Sequence, residues 1–411
     1  MIGASMLLAL GLSGPTGLWC PAQVPEKLPR FREEVIDREL GCCYGMAIAD
    51  VNGDGKPDLI LATEYPDLIV WYENPTWKRR VIRKGHPAHP EPIVPFDVDG
   101  DGKLALALGA DWSSTNTTSG GTLWVLRPSA DLDQPWTATQ IEEEPSLHRL
   151  RAIDLEGRGK RELLVSTIQG RGTQPPEWWK GKGALQFILH RPAGPEKSRW
   201  EREIVSDTLH FVHGVWPVDW DGNGKESILF AAYEGIFLAK RGPEGKWSQE
   251  KIASGDPERG ASDVRLGRLP GGKRYLVAIE PNHGPRASIY TPPEHPGELW
   301  KRKLLVEGHT GGHVLVLADL TGTGVESVVV GFRGLARPTD FVPGEPGKDY
   351  ILYAFHPLDP EGDAWEKKVL DDRGMASDSA FAVDLKGRGR LDLVVGGYVT
   401  RNLKIYWNEG R

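Results

Sequence analysis

Seven times along the chain an apolar run meets a short Asp/Gly loop and resumes as a second apolar run. The copies are AIADVNGDGKPDLILA (47–62), VPFDVDGDGKLALALGA (94–110), RAIDLEGRGKRELLVS (151–166), PVDWDGNGKESILFAA (217–232), VRLGRLPGGKRYLVAI (264–279), LADLTGTGVESVVVGF (317–332) and AVDLKGRGRLDLVVGG (382–397). Runs of this length, rich in Val, Ile and Leu and bounded by Asp and Gly, predict paired β-strands. After each pair comes an alternating aromatic stretch such as LIVWYENP, TLWVLRP, LQFILHRP or LKIYWNEG. In most copies a Trp then opens a further short strand, as in WKRRVI, WEREIV, WKRKLLV and WEKKVL.

Four strands per repeat, with loop anchors about 47 to 65 residues apart, give the size of a propeller blade. The seventh copy ends after three strands, and the N-terminal segment FREEVID matches the missing fourth. The expected fold is therefore all-β: a seven-bladed β-propeller whose N-terminal strand completes the last blade. Pairing the two ends of the chain also removes an exposed sheet edge. The 411-residue length, which alone would predict two or three domains, thus reduces to one propeller over residues 23–411.

Composition supports this reading. Fifty Gly, 32 Pro and four Met fit an all-β chain full of turns, and the 15 Trp recur mostly at equivalent blade positions, where packing between sheets is their expected role. A net charge of −7 without a basic stripe argues against a nucleic-acid partner. Residues 1–22 read as an export signal: SMLLALGLSG is an apolar core, and Cys20-Pro21-Ala22 places small residues around a cut after Ala22. Secretion or a periplasmic location follows from that reading, and no other segment is long enough to span a membrane. The two remaining cysteines, Cys42 and Cys43, are adjacent and cannot staple distant elements. They form either a vicinal disulfide or a pair of small thiols at the channel mouth.

The first Asp/Gly loop places Asp50, Asn52, Asp54 and Asp58 at alternate positions, with glycines for the sharp turn. Hard oxygens at this spacing suit structural calcium, with Lys56 adding a backbone carbonyl. The second and fourth loops keep part of the set (Asp97, Asp99 and Asp101; Asp219, Asp221 and Asn223). In the third and seventh, Arg158 and Arg388 replace the central ligand and are expected to neutralise the loop carboxylates. The fifth loop has no carboxylate. A plain Asp-Gly hairpin without an ion is the competing reading.

The chemistry concentrates six residues before the loop aspartate. That slot holds Tyr44, Glu91, His148, His213, Ala261, His313 and Asp378. In a closed ring one register means one depth, so these side chains should meet at the channel mouth, together with Glu280, His283 and Arg333 from the loops that emerge there. His148, His213 and His313 are expected to bind a transition metal such as zinc or manganese, with Glu91 or Asp378 as fourth ligand or supporting partner. Tyr44 and His309 are the candidates for proton transfer, and Arg333 for binding a developing anion. Trp178 and Trp179, in the insert TQPPEWWKGKG, would form an aromatic platform for a sugar ring, with Glu280 and His283 as further substrate contacts. Histidines that merely bond neighbouring blades are the plainer alternative.

The Asp/Gly loops resemble the FG-GAP or VCBS repeats of integrin-like propellers, over nearly the whole chain, and in that family such loops hold calcium. The repeat type and segments such as HVLVLADLTGTGVESVVVG are also similar to the propeller part of aldos-2-ulose dehydratase-type enzymes. That resemblance implies a carbohydrate-active lyase or dehydratase, performing metal-assisted β-elimination or hydration on a keto-sugar or uronate. A non-catalytic, calcium-stabilised propeller for glycan binding or adhesion is the alternative.

Overall fold

The computed structural model describes residues 27–192, 200–334 and 349–410; the expected signal, residues 1–22, lies outside them. It contains seven four-stranded antiparallel sheets. The first strand of each blade adjoins the first strands of its neighbours around a central channel. These inner strands are Cys42–Ala49, Ile93–Phe96, Leu147–Ile153, Gly214–Val218, Asp263–Arg268, Gly312–Ala318 and Ser377–Val383, which number the blades 1 to 7. The expected architecture is thus the observed one. A single 3₁₀ turn at Pro270–Gly272, in the loop that lost its aspartate, is the only helical element among the described residues.

The second strand of each blade is apolar through its middle, with charged and polar residues confined to its ends, because both its faces are covered. In blade 1, Leu59 and Leu61 pack against blade 7 residues such as Val394 and Ile405. The intervening Ile60 and Ala62 pack against Leu106 and Leu108 of blade 2. Period-two alternation therefore sorts one strand between two neighbours, as in any sheet sandwiched between others. The same division gives seven interblade cores around the ring. No helix among the described residues is long and apolar enough to cross a membrane.

Blade 7 is completed by Phe31–Asp37, which pairs antiparallel with Leu403–Asn408. Trp407 Nε1 donates to Glu34 Oε2 at 2.8 Å, and Leu28 N to Glu366 Oε2 at 2.7 Å, so the closing strand is held on both sides.

The recurring loop aspartate has a local role that needs no ion. Asp50 accepts from the amides of Gly53, Asp54 and Gly55 at 2.8–3.0 Å. Asp97, Asp154, Asp219, Asp319 and Asp384 cap their loops in the same way. The other expected calcium donors are also engaged. Asn52 Oδ1 accepts from the Asp54 amide at 3.0 Å, Asp54 pairs with Lys56, and buried Asp58 accepts from the Val51 and Asn74 amides. Of the two arginine substitutions, Arg388 does reach Asp392 at 2.9 Å as expected, whereas Arg158 gives Asp154 its backbone amide. Cys42 and Cys43 are buried free thiols.

Candidate functional site

Among the described residues, one group of three or more His, Cys, Asp or Glu side chains offers ligand atoms close enough to share an ion. It consists of His213, His283 and His313, whose ligand atoms lie within 4.8 Å of one another. His148 stands beside them, its ring 5.0 Å from that of His213. The register of the inner strands thus brings His148, His213 and His313 together, and a fourth histidine joins from a different position. Blade 5 carries Ala261 in the shared slot. His283, in the loop after that blade's second strand, adopts φ +47° and turns its Nε2 to within 3.0 Å of His213 Nε2. The candidate set therefore differs from the expected one: His283, expected to touch substrate, belongs to the trio whose ligand atoms could share an ion, and His148 flanks it.

Each inner-strand histidine is held by its Nδ1 so that Nε2 faces the middle. His148 Nδ1 is 2.8 Å from Glu91 Oε2, His213 Nδ1 is 3.0 Å from the Ser262 carbonyl, and His313 Nδ1 is 2.7 Å from the Asp378 carbonyl. Acceptors behind the ring in this way fix tautomer and orientation, as partners of metal-bound histidines do. Burial, reinforced by nearby arginines, pushes all four imidazoles well below the usual histidine range, so they are neutral at pH 7; Arg149 Nη2 lies 2.9 Å from His213 Nε2 and would have to yield that lone pair to an ion. Glu91 thus serves as an orienting partner of His148. Asp378 departs from expectation: its carboxylate is ion-paired with Arg333 and lies 3.6 Å from His313 Nδ1, while its backbone carbonyl makes the hydrogen bond to that ring.

Seven buried polar atoms around this centre lack a hydrogen-bond partner: Tyr44 Oη, Glu91 Oε1, His148 Nε2, His313 Nε2, Arg333 Nε and Nη2, and Asp378 Oδ2. Buried polar groups are almost always satisfied, so such a concentration marks a place where water or a ligand completes the bonding. The neutral nitrogen donors and their anchored Nδ1 atoms fit a zinc-like ion.

Two glycines allow the blades to close on the site. A Cβ on Gly45 would stand 1.8 Å from the Glu91 carbonyl oxygen, and one on Gly214 would stand 2.7 Å from Asp263 Cα and 2.9 Å from the Ser262 carbonyl. The first approach sets Tyr44 against Glu91, and the second lets Ser262 reach His213. Gly45→Ala must push two backbones apart. It is expected to cost about 3 kcal/mol, at the upper end for overpacking, which a lowered urea midpoint at unchanged m would report.

Above the ring opens a cavity of about 700 Å³, lined by Tyr44, Trp112, His148, Gln169, Trp178, Trp179, Phe211, Tyr233 and His283 among others. Trp178 and Trp179 stand in its wall as expected, and Trp179 stacks on Tyr233 at 4.9 Å and 6°. Trp112 covers His148 at 4.8 Å. Trp112, Phe211, Tyr233 and Arg149 were not foreseen. Trp112 adjoins Asp111, in one of the loops expected at this face, and Arg149 directly follows His148, so position in the repeat was the available signal.

Three expected roles do not survive. Glu280 is fully buried, clamped by Arg302 at 2.6–2.8 Å and bonded to Ser288 and Tyr290, so it braces blade 5 and cannot touch substrate. His309 packs on Phe332 and accepts from the Tyr353 hydroxyl at 2.9 Å, outside the cavity wall, so it is no proton-transfer group for this site. Arg333 is wholly buried, paired with Asp378 and lying 5.1 Å over the Tyr398 ring, so it does not line the cavity and acts there through its field on Tyr44 and the histidines. Tyr44 remains well placed: its ring meets His148 and His313 edge-on at 6.3 Å. Burial, then the neighbouring Glu91, raise its phenol well above the usual range, so it stays protonated.

Comparison with known proteins agrees with this architecture. Residues 120–293 match the family described as aldos-2-ulose dehydratase, beta-propeller domain, and residues 50–108 match the FG-GAP-like repeat. The aldos-2-ulose dehydratase of Phanerodontia chrysosporium is 28% identical over 250 residues, covering 54% of this chain and 26% of that protein; the chain thus spans about a quarter of that relative's length. Among solved structures, BBS1N in complex with ARL6DN is similar at TM-score 0.55 and 12% identity, over 93% of this chain and 96% of that one. An Agrocybe aegerita lectin, described as recognising non-reducing terminal N-acetylglucosamine, is similar at TM-score 0.51 and 14% identity, over 86% and 89%. Both likenesses concern the fold alone. The chain is a seven-bladed β-propeller with FG-GAP-like repeats that resembles the propeller domain of aldos-2-ulose dehydratases.

Proposed function

We propose that this propeller is a carbohydrate-active lyase of dehydratase type, eliminating water from a keto-sugar or uronate, or adding it back, at the histidine-ringed mouth. The observation that carries the reading is the set of unsatisfied buried polar atoms around four neutral histidines at the floor of an aromatic-walled cavity. The similarity to the aldos-2-ulose dehydratase propeller supports the substrate class and the reaction type. We place the activity outside the cytoplasm, on the leader-like composition of residues 1–22.

His213, His283 and His313 would hold the ion, which when bound supplies Lewis-acid polarisation of a substrate carbonyl or carboxylate. His148 is the general base. It faces the cavity, is neutral, and has at its Nδ1 the Glu91 carboxyl, which burial raises well above the usual carboxylate range and which can share the proton gained when Nε2 takes the proton next to the carbonyl. The same imidazole then returns that proton to the departing hydroxyl, which leaves as water, so the protons balance. Tyr44 keeps its proton and donates a hydrogen bond to the enolate oxygen, a role for which a raised pKa is suited. Trp178, Trp179 and Trp112 exclude water and offer flat faces to the sugar ring.

The test combines elemental analysis of the purified chain with ultraviolet absorbance of the products from a panel of keto-sugars and uronates. A stoichiometric transition metal and an appearing enone or unsaturated-uronate band are expected. The Trp179–Tyr233 stack also favours a second reading, glycan binding without turnover. Sugar binding with no new absorbance across the panel would select it.

A further inference from the structure

Beneath the histidine ring the channel is strongly and one-sidedly basic. Arg149 and Arg151 come from the inner strand of blade 3 and Arg265 from that of blade 5, with Trp216 of blade 4 between them. Arg151 Cζ lies 5.3 Å and Arg265 Cζ 3.8 Å from the Trp216 ring centroid. This stacking fixes the guanidinium planes. Asp263 pairs with Arg265, whereas Arg149 feels the buried carboxyls of Glu91 and Asp378 above it and has no ion pair with either. Arg149 gives one nitrogen to the His148 carbonyl and sets another 2.9 Å from His213 Nε2. Arg151 donates to the Leu150 carbonyl, while its Nε is shut off from solvent with no partner. Burial, then Arg265 and Arg149, pull Arg151 down to about pKa 9, the response of a cation among cations.

The fold does not require this charge. The slot that holds Arg151 is filled in other blades by Ala47, Val94, Val264, Val316 and Phe381, all apolar. Two guanidinium groups on an aromatic plate, with Arg149 two residues before Arg151 on the same strand, form the donor set of an oxyanion clamp. Guanidinium forks match the paired oxygens of carboxylate and phosphate.

We propose that the channel below the ring is a binding site for a small oxyanion, a phosphate or carboxylate group, held by Arg149, Arg151 and Arg265. The site is distinct from the cavity above the ring, which none of these three residues lines. It does not depend on the lyase reading.

The test is a calorimetric titration of the full chain, as purified, with inorganic phosphate and separately with acetate, repeated after chelation and on Arg151→Met. One site per chain is expected for at least one anion, persisting after chelation and at least tenfold weaker in Arg151→Met. Phosphate binding and acetate binding distinguish a tetrahedral from a planar ligand, and either supports the clamp. No binding of either at millimolar concentration, binding abolished by chelation, or binding unchanged in Arg151→Met would each overturn it. If Arg151→Met does not fold, Arg265→Lys keeps the charge but loses the fork. It should weaken binding several-fold, and unaltered affinity there would equally refute the proposal.

Discussion

His213→Ala is expected to purify without its transition metal and to lose turnover with it. Its Nε2 is one of three nitrogens that share the proposed ion site, and its Nδ1 is already committed to the Ser262 carbonyl. Removing a partner behind a metal-bound histidine costs roughly 10- to 100-fold in affinity, so removing the ligand itself should cost more than about 100-fold. His148→Ala provides the contrast. It should keep the metal and lower kcat by about 10²–10⁴-fold, the range for a general base. Glu91→Gln should follow His148→Ala in direction with a smaller loss. Metal retained by His213→Ala, measured by elemental analysis on folded protein, would move the ion elsewhere. Metal lost equally from His148→Ala would make that residue a ligand and leave the base unassigned.

The largest expected effect on stability comes from Arg333→Met. Arg333 and Asp378 are both wholly buried and paired with each other. Methionine keeps much of the volume but strands a carboxylate whose pKa burial already raises. Breaking a buried pair from one side costs about 3–5 kcal/mol, because the remaining charge has no solvent and no partner. The urea midpoint should fall accordingly. Asp378→Asn in the same chain should restore much of the loss, since no ion is then left uncompensated. The His313 anchor survives in that double variant because it uses the Asp378 backbone carbonyl. A double variant no more stable than Arg333→Met alone would show that the arginine acts through packing instead.

The blades were legible because their physics is local and repeated. A second strand covered on both faces must be apolar through its middle, and a loop that satisfies its own amides needs an aspartate followed by glycines, so both leave a pattern in the chain. The shared register of His148, His213 and His313 was legible for the same reason: equal spacing from an anchor means equal depth once the ring closes. His283 was harder to assign because its place depends on a left-handed backbone in a loop and on the small Ala261 below it. Charge pairing across blades was harder still. Arg333 and Asp378 both occupy mouth-facing positions, and their sequence does not reveal that they neutralise each other. Glu280 and Arg302 likewise sit on different strands of blade 5, and their meeting follows from sheet geometry. The loop oxygens were legible as polar groups at alternate positions; that backbone amides also bond several of them is a property of the folded turn.

The strand that closes the ring has a consequence for how the site comes into being. Trp407 and Glu34 meet across 373 residues of chain, and the histidine cluster draws on blades 3, 4, 5 and 6, with Tyr44 from blade 1 and Glu91 from blade 2. Contacts so distant in sequence are reached late, since the entropy of closing such long loops is lost before any contact forms. Individual blades can assemble as hairpins from neighbouring segments, but no subset of them contains the whole centre. The centre is therefore a product of the last folding step, and a ligand bound there would act as a latch, slowing the reopening of a ring that nothing covalent holds shut.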